Sequence, residues 1–84
     1  MKTVYPVIFT PVEGVVLVEV PDLGVLTQGE DLSNAVEMAR DAISLKCVDL
    51  EDEGENIPPP TALKEIDAAK GEFAGAGTGI VSFV

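Results

Sequence analysis

The sequence predicts an α+β fold: an antiparallel three-stranded meander, one long helix packed on that sheet, and a closing C-terminal strand. Three observations carry this. β-Branched and aromatic residues crowd residues 3–9, 15–20 and 25–28, with turn residues between them. Leu32, Val36, Ala39, Ile43, Cys47 and Leu50 recur at spacings of three and four, the mark of one helix face. A further β-branched and aromatic run, residues 80–84, ends the chain.

Each element has its own local cause. Both alternating sets of residues 3–9 are apolar, so this strand is expected to have little exposed face. Pro6 cannot donate to a ladder, and its N–H side should meet a bulge or a sheet edge. Turn chemistry over residues 11–14 makes the first two strands an antiparallel hairpin. Pro21 and Asp22 end the second strand, and Leu23-Gly24 turns the chain into the third. Asp31 is the expected helix N-cap, although no Glu or Gln stands three residues on to complete a capping box. Ala35 and Ala42 let the helix lie close to the sheet, and Asn34, Glu37, Asp41, Ser44 and Asp49 form the opposite, solvated face. Gly54 is placed to take the left-handed position after the helix.

Beyond the helix, EDEGENIPPP is an acidic run followed by three prolines and should be an extended connector. Thr61 is expected to cap a second short helix over residues 62–70, ended by Gly71. A right-handed crossover from that helix would lay residues 80–84 parallel to a strand of the hairpin.

Composition removes several function classes. The 84 residues suffice for one core and include no histidine and one cysteine, which excludes a Cys/His metal site, a His general base and an internal disulfide. Cys47 lies in the apolar stripe and reads as a small buried hydrophobe. No apolar run approaches the 20 or so residues of a membrane span, and the N-terminus lacks the pattern of a secretory leader, so a cytoplasmic location is expected. Fifteen acidic against five basic residues leave a formal charge of −10, a field that repels nucleic acid and attracts basic partners.

Three stretches carry a resemblance: Tyr5-Pro6-Val7-Ile8-Phe9, then Val16 through Leu23 (VLVEVPDL), then Thr27-Gln28-Gly29-Glu30-Asp31-Leu32 running into the helix. With Ile57-Pro58-Pro59-Pro60 after the helix, their order and spacing resemble the N-terminal domain of the HicB antitoxin family. The resemblance implies a degenerate RNase H-like β-β-β-α-(α)-β domain, with no cofactor. It also implies a function: binding and masking a HicA toxin, a small basic protein that cleaves RNA with a histidine. Such antitoxins usually carry a C-terminal DNA-binding module as well. The expectation is a single antitoxin domain over residues 1–84 with no C-terminal DNA-binding domain, either because the sequence is a trimmed piece or because this is a short or solitary relative without a repressor role. The chain departs from the family at Pro21-Asp22-Leu23-Gly24, where members usually read P-D-L-P-G-C.

On this reading the toxin-binding candidates are the acidic residues Asp22, Glu37, Asp41, Glu51, Asp52, Glu53 and Glu55. An enzymatic alternative is a residual RNase H-like nuclease, which would need carboxylates such as Glu13, Glu19, Asp22 and Asp31 to gather around two Mg²⁺ ions about 4 Å apart. A third reading is a solitary structural or regulatory module, with a homodimer or higher oligomer formed through strand edges.

Overall fold

The computed structural model describes residues 4–84, so the Thr3 end of the expected first strand lies outside it. Strands β1 (Pro6–Val12), β2 (Val15–Val20), β3 (Val25–Gly29) and β4 (Ile80–Phe83) and a single α-helix, α1 (Leu32–Asp52), make up the regular structure. The strands form one sheet in the order β3-β2-β1-β4, with every neighbouring pair antiparallel. The expected α+β architecture, one long helix packed on the sheet, is what the chain forms.

β1 occupies the interior of this sheet and runs to Val12, three residues past its expected end. Its two prolines are tolerated because each directs its missing donor where no ladder continues. Tyr5 and Val84 exchange both backbone hydrogen bonds, at 3.1 Å each, so alternate residues from Tyr5 bond towards β4 and those between them bond towards β2. Pro6 therefore faces the β2 side two residues before the Ile8–Glu19 pair, where β2 has given way to a 3-10 turn at Pro21–Leu23. Pro11 faces the β4 side beyond the last pair, Phe9 with Ile80.

One face of the sheet carries the core. Tyr5, Val7 and Phe9 with Val16, Val18 and Val20 meet Ala35, Ala39, Ile43 and Leu50 of α1. The approach is closest at Gly29, where a Cβ would sit 2.5 Å from the Ala35 Cα, so no larger residue fits without moving the helix. This contact also accounts for a departure from the expected stripe. Gly29 ends β3 against Ala35, and the helical turn before Ala35 overhangs the sheet, leaving Leu32 53% exposed.

Both helix ends follow local chemistry. The Asp31 carboxylate accepts from Asn34 N at 2.8 Å, and the Asn34 side chain accepts from Glu30 N at 2.9 Å. Asparagine thus supplies a reciprocal bond of the capping-box kind, one residue upstream of the usual place. At the other end Gly54 N bonds Glu51 O and Glu55 N bonds Leu50 O, the paired bonds of a Schellman closure, with Gly54 at φ +73°.

The remaining chain diverges from expectation in two ways. Residues 62–70 form two separate 3-10 turns, Leu63–Glu65 and Ala68–Lys70, in place of a helix. Ile66 and Asp67 between them are extended, and Asp67 bonds Ala69 N with its own side chain, a local alternative that a segment too short to nucleate a helix cannot outcompete. The second departure is the direction of β4, which is antiparallel to β1 rather than parallel to any strand. After α1 the chain crosses to the other face of the sheet and climbs it without a helix. Gly71 lies against Ile8 and Glu19, and Gly77 reaches Thr10 and Val12 at the far end of β1. β4 can then only run back down. This tail covers Pro6, Ile8 and Thr10, all buried, so β1 is enclosed on both faces.

Candidate functional site

The seven candidate carboxylates separate into two groups with different uses. Asp22 stands in the 3-10 turn Pro21–Leu23 and is only half-exposed. Its Oδ2 accepts from Thr61 N at 2.7 Å and its Oδ1 accepts from the Thr61 hydroxyl. Both oxygens are thus spent within the chain, fastening the start of the tail to the end of β2. Thr61 was expected as a helix cap and acts instead as the donor side of this clasp. The turn that departs from the family pattern is folded inward, with Leu23 buried in the core.

A second tie lies beside the first. Tyr5 is fully buried, and its hydroxyl donates to Pro58 O at 2.6 Å. Burial is the main reason its phenol is pushed above the ordinary value of 10.0, with smaller contributions from Cys47 and Asp22 nearby. Cys47 is half-buried and packs against the core, as its place in the stripe predicts.

The other six candidates, Glu37, Asp41, Glu51, Asp52, Glu53 and Glu55, are all exposed. Glu37, Asp41 and Asp52 lie at helical spacings along the side of α1 turned away from the sheet, and Glu51, Glu53 and Glu55 cluster at its C-terminal end. These residues line the outward side and the C-terminal end of α1, with Arg40 also exposed on the helix. Apolar side chains stand between them: Met38, Leu45 and Val48 are exposed among the carboxylates. Sequence reading placed this face among the solvated ones and missed them. The signal was there in the spacing, since Met38, Leu45 and Val48 recur at seven and three on the side opposite the core stripe.

The carboxylates of the nuclease alternative do not converge. Glu13 lies in the turn before β2 and Asp31 follows β3, whereas Glu19 and Asp22 lie at the opposite end of β2. A six-residue strand separates the ends by roughly 20 Å. Asp31 caps α1, Glu19 accepts from Glu72 N at 2.9 Å, and Asp22 holds Thr61. Among the described residues no three His, Cys, Asp or Glu side chains are grouped to hold a metal ion. A shallow cleft of about 230 Å³ between β2 and the tail exposes Glu19, Glu65, Asp67 and Lys70.

Comparison with protein families matches residues 5–84 to the HicB-like antitoxins of bacterial toxin-antitoxin systems. The chain belongs to that family. The match takes in the stretches between Tyr5 and Pro60 that carry the resemblance and runs on through the tail and β4. No curated relative matches the chain. Among the described residues no helix is long and apolar enough to cross a membrane. Membership in an antitoxin family implies a toxin as partner and suggests a regulatory role.

The clasp and the tyrosine tie lead to two expectations. Asp22→Ala orphans both Thr61 donors and should lower unfolding free energy by about 1.5–3 kcal/mol, measured by urea denaturation. It should also speed proteolysis within residues 61–79; unchanged cleavage there would contradict the clasp. Tyr5 is the single tyrosine, so the absorbance of its phenolate titrates it directly. Its folded value is raised, so its contribution to stability is complete below about pH 10 and is lost as pH rises through the folded value. The absorbance midpoint is expected above 10.0 in the folded chain, and the alkaline loss of stability due to this group should vanish in Tyr5→Phe.

Proposed function

We propose that this HicB-like domain neutralises a small basic HicA-like RNA-cleaving toxin by binding it through the acidic outward surface of α1. The observation that carries this reading is the placement of the carboxylates. Within a chain of net charge −10, Glu37, Asp41 and Asp52 share one side of a single rigid helix, and Glu51, Glu53 and Glu55 extend the field past its end. Such a surface accelerates encounter with a cationic protein and opposes encounter with nucleic acid. A protein whose work is to bind RNA must present the complementary charge.

The division of the carboxylates supports a mask over a catalyst. Among the described residues Asp22 is the candidate with partners inside the chain and belongs to the clasp, while the other six are exposed on α1 or just past its end. The free outer edges of β3 and β4 are where a second copy would pair, so a homodimer is compatible with an open α1. The proposed setting is the cytoplasm, where the toxin's RNA substrates are.

Expression beside any HicA-like protein encoded next to this gene should yield a co-purifying complex that no longer cleaves RNA. The association rate should fall about tenfold or more as salt rises from about 0.01 to 0.15 M and the Debye length shrinks from about 30 to 8 Å. A rate indifferent to salt, or the absence of a complex, would refute the proposal.

A further inference from the structure

The acidic face of α1 has an apolar spine. Leu45 is 68% exposed, the most exposed of the large hydrophobic residues described, with Val48 at 53% and Met38 at 36% on the same side of the helix. Asp41 stands one turn from both Met38 and Leu45, and Asp49 and Asp52 follow Leu45 and Val48 by one turn. The core is made by Ala35, Ala39, Ile43 and Leu50 on the opposite side, so folding makes little use of Leu45, the centre of the spine. Lysine or glutamate would serve the helix equally well at position 45.

Charge selects what could cover such a stripe. A second copy laid on it would set Asp41, Asp49 and Asp52 against their own kind on two molecules of formal charge −10 each. An anionic membrane surface is repelled in the same way. A cationic protein surface with an apolar depression at its centre satisfies both the spine and its rim. That arrangement, an apolar anchor ringed by polar groups, is how binding energy is concentrated in protein interfaces.

We propose that Leu45, flanked by Met38 and Val48, is the apolar anchor by which α1 docks a cationic protein, with Asp41 and Asp52 engaging lysine or arginine around it. This rests on the toxin-masking reading above and adds where the affinity resides: the carboxylates set the rate of encounter, and Leu45 sets the lifetime of the complex.

A charge-adding substitution separates the two contributions. Binding of a basic HicA-like toxin is measured by calorimetry for the wild-type chain, Leu45→Ala, Leu45→Asp and a control, Leu26→Asp. Leu26 is also 53% exposed but lies on β3, facing away from α1. If acidity alone bound the partner, an extra acid at position 45 would tighten the complex. The expected result is that Leu45→Asp weakens binding about tenfold or more and Leu45→Ala several-fold, with Leu26→Asp within about twofold of wild type. The free Leu45→Ala chain should keep the wild-type thermal midpoint, because the side chain is mostly in water; Leu45→Asp, which adds an acid in line with Asp41 and Asp49, should lower it by a few degrees and stay folded at the temperature of the binding measurement. Undiminished binding by Leu45→Asp overturns the anchor and leaves the toxin-masking reading standing. Failure of the wild-type chain to bind overturns both. Sedimentation that shows a wild-type dimer converted to monomer by Leu45→Asp overturns the choice of occupant, since the stripe would then be covered by a second copy.

Discussion

The structure depends on enclosing β1 from both sides. Its two sets of side chains, Tyr5, Val7 and Phe9 on one face and Pro6, Ile8 and Thr10 on the other, are all buried. One layer over a sheet can cover only one of these faces, so a chain this short must supply two covers. α1 is the first, a regular helix held close by the Gly29–Ala35 contact. The second is an irregular tail whose backbone lies nearly on the sheet, with Gly79 so near Ile8 that a Cβ would stand 2.8 Å from the Ile8 methyl. Such a cover brings little regular hydrogen bonding of its own. It is held at its start by the Asp22–Thr61 clasp and the Tyr5–Pro58 bond, and at its end by β4. Thr10 shows the limit of this arrangement, since its hydroxyl is buried without a partner.

The parts of this fold that were legible in the sequence are those set by local chemistry. The hairpin, the third strand, the Asp31 cap, the run of α1 and its closure at Gly54 all follow from periodicity and from residue types that act within a few positions. The apolar character of both sides of residues 3–9 also announced a doubly buried strand. What filled the second side was not legible, because the tail lacks periodicity and its fastening joins residues 39 and 53 positions apart. The direction of β4 follows from that path and not from its own sequence. Leu32 carried the right spacing for the core, but whether a first turn overhangs a sheet is settled by where β3 stops.

The candidate site was legible as charge and illegible as geometry. Six of the seven acidic candidates stand exposed on or just beyond α1, as a count of acids on a helix face predicts. Asp22 looks the same in sequence, as an acid at a strand end, yet its partner is Thr61 in the tail. The converse error concerned Leu45 and Val48, which were hidden because a face counted by its carboxylates is assumed to be wet throughout. An exposed apolar residue is informative only when neighbours of its kind stand beside it, and that is visible once the helix is placed against the sheet.

Together these features describe a domain whose tail closes the sheet and whose outward α1 face is exposed, the face proposed above to meet a cationic toxin. Hydrogen exchange on a complex with a HicA-like toxin tests this proposal most directly. The account predicts added protection of backbone amides within residues 38–52 of α1, with residues 61–79 exchanging as they do in the free chain. Protection gained in the tail or along β4, with α1 unchanged, would contradict it.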